Sequence, residues 1–224
     1  MFLGHFAVAF AAKKAVPAVS LGALFLAGQF ADLLWPVLVL LGVEEVRILP
    51  GATAMTPLDF VSYPYSHSLN ALVGWGILVG GVYTATTRAR RSAGVILGIL
   101  VVSHWGLDVI THRPDMPLTL SGTTRLGLGL WNSIAATLAV ELLIFAAGIA
   151  LYCRATAARD RIGTVGFWSL VAFLGVVYFA SAFGPPPPDA RTVAWSATAM
   201  WLLVVWGHWV DGHRYRARSS GGLE

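Results

Sequence analysis

A single cysteine, Cys153, stands in a chain of 224 residues. One thiol excludes an internal disulfide and any multi-cysteine metal cluster. Charge is scarce as well: 12% of the residues are Asp, Glu, Lys or Arg, about half the fraction usual in soluble domains. Apolar residues take their place, making up 57% of the chain and falling in long runs. Several runs approach the roughly 20 residues that a helix needs to cross a bilayer. The composition therefore excludes an ordinary soluble domain and predicts an all-α, polytopic transmembrane bundle. Seven segments of about 20 residues each would use about 140 positions, so residues 1–218 read as one membrane domain with no room for a soluble one. The formal charge of +4 then reports membrane orientation, and a nucleic-acid partner is not expected.

The first apolar segment is short, Phe2 to Ala12, and spans follow near Pro17–Gly42, His67–Thr87, Ser92–Thr111, Trp131–Cys153, Thr164–Phe183 and Ala190–Val210. Pro36 is the one helix-breaking residue well inside the second span. Eleven residues cover only about 17 Å, so the first segment reads as a half-span packed against other helices. It is too short, and lacks the small-residue site, for a cleaved signal peptide. Assigning alternate connections to opposite sides collects Lys13, Lys14, Arg88, Arg90, Arg91, Arg154, Arg159, Arg161, Arg214, Arg216 and Arg218 on one side, against Arg47, Arg113, Arg125 and Arg191 on the other. The positive-inside rule makes the richer side cytoplasmic and places the C-terminus there. Residues 219–224, Ser-Ser-Gly-Gly-Leu-Glu, read as a linker-like tail.

Ionisable residues within spans cost at least about 2.5–3.5 kcal/mol each at the bilayer centre and mark function by default. They are His5, Asp32, His67, His104, Asp108 and Glu141. In the run from His104 to His112, positions four and eight apart share one helix face, so His104, Asp108 and His112 form a column. Counting residues at 1.5 Å each puts His67, His104 and Asp32 at depths of about 0, 10 and 15 Å below the outer surface, in the same half of the membrane. Glu141 falls near the midplane, and His5 reaches this layer only if the first helix is pushed outward. Imidazole and carboxylate suit a divalent metal, with zinc the first expectation, and a catalytic zinc site needs about three such ligands and an open position. Each residue has a plainer reading. His104 and Asp108 could form an interhelical hydrogen bond, Asp32 could support a helix bent at Pro36, and Glu141 could be helix glue. His5 could simply be buried, and His112, in His-Arg-Pro-Asp, reads as a solvated loop residue.

Four short motifs occur in a telling order: Gly4-His5-Phe6-Ala7-Val8-Ala9-Phe10; Leu24 to Asp32, ending Gly28-Gln29-Phe30-Ala31-Asp32; Ser66-His67-Ser68-Leu69; and Ser103-His104-Trp105-Gly106-Leu107-Asp108 followed by Pro117. Over residues 4–118 the chain resembles the bacterial inner-membrane metal-dependent hydrolases of the YdjM-like type. The resemblance implies His5, Asp32, His67, His104 and Asp108 as metal ligands, a hydrolase activity and a bacterial inner membrane. The chain departs from the family at Leu34, where a second Asp is common, and at Tyr63-Pro64-Tyr65, where a His-Arg pair often precedes the His-Ser motif. Both departures favour one metal, or a degenerated site, over two metals.

The leading expectation is a membrane-embedded metal-dependent hydrolase. His67, His104 and Asp108 would hold the metal, Asp32 and His5 would be further ligands or supports, and Asp32 or Glu141 would act as the catalytic base. The location suggests membrane lipid as the surrounding partner and a lipid or lipid-linked ester or phosphoester as substrate. The rival is a transporter using the same buried groups for ion or proton passage, against which stands the lack of any internal repeat. A non-catalytic protein whose histidines only pack helices is the third reading.

Overall fold

A computed structural model describes residues 1–87 and 90–217; Arg88, Arg218 and the tail 219–224 lie outside the described residues. The chain is mostly helical. Among the described residues five helices are long and apolar enough to cross a membrane: α5 (Leu69–Thr87), α6 (Arg91–Thr111), α7 (Ile134–Ala155), α8 (Arg161–Phe183) and the stretch Ala190–Gly212, formed by α9 (Ala190–Thr198) and α10 (Met200–Gly212). Their outer faces carry bare large side chains such as Ile77, Leu143, Val176 and Leu202. An apolar exterior of that extent would be a liability in water and suits lipid.

The first helix is short and deeply enclosed. In α1 (Phe2–Ala12), Leu3, Gly4, His5, Phe6, Ala7, Ala9 and Phe10 are all buried. Phe10 packs edge-on against Phe25, Tyr152 and Phe167 at 5.0–5.9 Å between ring centroids. Glycines let the neighbours close in: a Cβ at Gly148 of α7 would lie 2.7 Å from Ala7 Cα, and one at Gly28 would lie 3.0 Å from the His5 carbonyl oxygen. α1 is thus a short helix walled in by longer ones, the setting in which an incomplete span is tolerated at membrane depth.

The second predicted span is broken into α2 (Leu21–Gly28) and α3 (Phe30–Leu40), bent by 57°. The expected bend at Pro36 is not there, for Pro36 lies inside α3. The break falls at Gln29, whose φ of −101° and ψ of 9° are not helical. Breaking the helix there releases the Gly28 carbonyl, and His104 Nδ1 lies 3.0 Å from it, so a side chain replaces the lost ladder bond.

Among the described residues the all-α expectation misses three small antiparallel strand pairs: the hairpins β1 (Glu45–Ile48) with β2 (Leu58–Ser62) and β3 (Met116–Pro117) with β4 (Arg125–Leu126), and β5 (Thr156–Ala158) with the distant β6 (Arg214–Arg216). The first lies between α3 and α4 (Pro64–His67), the second between α6 and α7. Trp35, Val46, Phe60, Tyr63 and Met116 form a small core between these loops and the helices. At the other end Lys13 bonds Asp211 (2.6 Å) and the Val19 carbonyl (2.7 Å), while Tyr152 Oη reaches Asp211 at 3.0 Å. Those contacts tie the end of α1 to α7 and α10.

Candidate metal centre

α6 supplies two polar side chains one turn apart. His104 and Asp108 both face inward, and Oδ2 of Asp108 lies 3.1 Å from Nε2 of His104. α3 brings Asp32 from the other side of the break, and α4 brings His67 at its last residue. Pro64 opens α4, where its missing N–H costs nothing. Ser68 ends it in extended conformation, and the Ser68 side chain accepts from Ala71 N to start α5.

Four donor atoms from these elements face one another. Around the ring of atoms the separations are 3.1 Å (His104 Nε2 to Asp108 Oδ2), 3.9 Å (Asp108 Oδ2 to His67 Nε2), 3.4 Å (His67 Nε2 to Asp32 Oδ1) and 3.8 Å (Asp32 Oδ1 to His104 Nε2). Bonds of about 2.0–2.2 Å to imidazole nitrogen and carboxylate oxygen put the donors of a tetrahedron about 3.3–3.6 Å apart. The spacing of the four atoms straddles that range.

Hydrogen bonding makes the arrangement more specific. A carbonyl only accepts, so His104 donates from Nδ1 to Gly28, which leaves the Nε2 lone pair directed at the carboxylates. That nitrogen is buried and has no hydrogen-bond partner among the described residues. A lone pair facing two carboxylate oxygens is electrostatically unfavourable unless a proton or a cation lies among them, so the donor set fits a divalent metal. His104 belongs to two possible triads, with His5 and Asp108 and with Asp32 and His67. One lone pair binds one ion, so the two triads describe one centre.

His5 and Glu141 flank the ring of donors. The His5 imidazole stacks on His104, and its Nε2 lies 3.0 Å from Asp108 Oδ1; the Met1 amino group also pairs with that oxygen. α1 lies against the C-terminal half of α6, which brings His5 level with His104 and Asp108. Glu141 points instead at the start of α1, where its Oε2 accepts from Leu3 N at 2.7 Å and from Gly4 N at 3.4 Å. It caps two of the free N–H groups of that helix from a neighbouring one.

The solvated-loop reading of His112 is wrong. It is buried under Phe60 and Trp131, with Nδ1 2.9 Å from Asp115 Oδ1 and Tyr63 Oη beside the same oxygen at 3.3 Å. The β1–β2 hairpin and the 3-10 turn at Trp131 fold over it. Burial lowers the His112 pKa against the pull of Asp115, and burial with the Asp115 charge pushes the Tyr63 phenol well above its usual value. Sequence reasoning did not find Glu44 or the Gly28 carbonyl, which act through tertiary contacts that no local pattern announces, nor Ser66 as a partner of its neighbour His67, a pairing that depends on the side-chain orientations.

No family model, no curated protein and no solved structure matches the chain.

Proposed function

We propose that the protein is a membrane-embedded, metal-dependent hydrolase of the YdjM-like type, with zinc as its metal. The observation that carries the reading is the ring of four donor atoms closed by an unpartnered His104 Nε2. His67 Nε2, His104 Nε2 and Asp108 Oδ2 would hold the ion. A divalent metal held there supplies Lewis acidity that activates water and polarises a scissile oxygen. Asp32 is the outermost of the four, its side chain 28% exposed while the other three are at most 3% exposed. Asp32 therefore faces the opening through which water and substrate enter, and it takes the attacking water's proton. His5 holds Asp108 through Oδ1, and Glu141, engaged with α1, is a support and has no part in proton transfer.

The basic residues favour a C-terminus in the cytoplasm and seven membrane segments, with α1 short and the bent pair α2–α3 counted as one. The donor ring then lies in the outer half of a bacterial inner membrane. That location favours a lipid or lipid-linked ester or phosphoester as substrate. An imidazolium–carboxylate network without metal would hold the same groups together, and ion passage would use them differently. The test is hydrolysis of ester and phosphoester lipids by the purified protein, expected to be abolished by chelator, restored by zinc and lost in Asp32→Asn. Proton flux in reconstituted liposomes that chelators leave unchanged would replace this reading with the transporter.

A further inference from the structure

A carboxylate outside the donor ring is wired to it through a serine. Glu44 precedes β1 and is 3% exposed. Its Oε1 accepts from the backbone N–H groups of Tyr65 (2.8 Å) and Ser66 (2.9 Å), and its Oε2 lies 2.5 Å from Ser66 Oγ. Ser66 Oγ in turn lies 2.7 Å from His67 Nδ1. The far nitrogen of the same ring, Nε2, faces Asp32 Oδ1 and Asp108 Oδ2.

Proton counting gives the chain of bonds a direction. A carboxylate only accepts, and a serine hydroxyl has one proton to give. That proton goes to Glu44, so Ser66 Oγ is left to accept from His67, and the imidazole proton sits on Nδ1. Nε2 then carries its lone pair toward the donor ring, the form a metal ligand requires. The geometry points to Glu44 as a positioning residue that fixes the tautomer of His67 through Ser66. The inference rests on the metal-centre reading and adds to it a residue that touches neither metal nor substrate.

Substituting Glu44→Gln would reverse the wire without changing its shape. The two backbone N–H groups keep the amide oxygen in the place of Oε1, so the amide nitrogen replaces Oε2 and donates to Ser66 Oγ. The hydroxyl proton then turns to His67 Nδ1 at 2.7 Å, much nearer than its other acceptor, the Tyr63 carbonyl at 3.5 Å, which places the imidazole proton on Nε2, facing the ion. Adding Ser66→Ala removes that donor and frees the ring to choose its tautomer. A Glu44 that merely braces α4 predicts no such recovery.

The experiment is zinc titration of the detergent-purified full chain, together with the imidazole ¹⁵N spectrum of the metal-free protein, the His67 signals identified by their loss in His67→Gln. The expected result is zinc affinity weakened about 10–100-fold in E44Q, in the range seen for groups that orient metal ligands, and partly regained in E44Q/S66A. The spectrum should show His67 protonated on Nδ1 in the wild type and on Nε2 in E44Q. A wild-type ring protonated on Nε2, or a double variant no tighter than E44Q, overturns the inference. Wild-type protein that binds no zinc refutes the metal centre instead, and the spectrum still decides the tautomer.

Discussion

The imidazoles of His5 and His104 lie face to face, 3.6 Å between centroids with their planes 6° apart, so a residue of the first helix is stacked on one member of the donor ring. His5 also fixes Asp108 through Oδ1, 3.0 Å from its Nε2. Removing it leaves the four donors in place and loosens two of them. His5→Ala is expected to weaken zinc binding about 10–100-fold, as loss of an orienting partner does, whereas His104→Ala abolishes it. Equal losses in the two variants, measured by competition with a chelating indicator, would make His5 a ligand in its own right.

Glu141 separates a structural carboxylate from a chemical one. Its Oε2 receives the Leu3 and Gly4 N–H groups, and taking it away strands buried donors at a cost of about 1–3 kcal/mol. Glu141→Ala should therefore lower the melting temperature while the remaining folded protein keeps its metal content and its activity per folded molecule. Loss of turnover with an unchanged melting curve would return Glu141 to the list of catalytic bases.

α6 is held to α5 by glycines. A Cβ at Gly76 would lie 2.8 Å from the Gly98 carbonyl oxygen, and one at Gly98 would lie 2.9 Å from that of Gly76; both obstacles are backbone and cannot rotate aside. Gly98→Val should force the hairpin apart and cost about 1–3 kcal/mol, the range for overpacked positions. Because α6 carries His104 and Asp108, zinc affinity should fall with stability. Gly106→Ala, where an added Cβ meets nothing within 4 Å, is the control and should do neither. An unchanged melting temperature in Gly98→Val would mean that the two helices are not in contact.

Acid should loosen the packing of the β1–β2 hairpin and the Trp131 turn through His112. Burial holds this imidazole below its ordinary value of 6.5, so below about pH 6.5 the unfolded chain binds a proton that the folded chain resists. Stability then rises with pH across the window between the folded value and 6.5, and is level above it. The melting temperature of the metal-free protein should fall from about pH 7 to about pH 5, the range in which an imidazole titrates. His112→Gln should flatten part of that slope, and parallel profiles for the two proteins would remove His112 as the cause.

Much of the site could be read from the sequence because ionisable residues are so few within the apolar runs. The His104–Asp108 spacing put two donors on one helix face, and depth counting placed Asp32 and His67 in the same layer. The apolar runs also delimited α5 to α8 closely. Three things were hidden for physical reasons. The break at Gln29 has no proline or glycine at its own position, while Pro36, the visible breaker, is absorbed inside α3. Glu44 sits in a connection and meets Ser66 across 22 residues of sequence. His112 looked solvated because the hairpin and the Trp131 turn that bury it are distant in the chain.

The central claim is that His67, His104 and Asp108 hold a metal ion, and elemental analysis of the detergent-purified full chain beside its His104→Ala variant tests it most directly. The account predicts a stoichiometric divalent metal, zinc, in the wild type and none in a folded His104→Ala protein. Wild-type protein without metal that remains folded and metal-free after zinc is supplied would contradict it, and would leave the donor ring as an imidazolium–carboxylate network that packs helices.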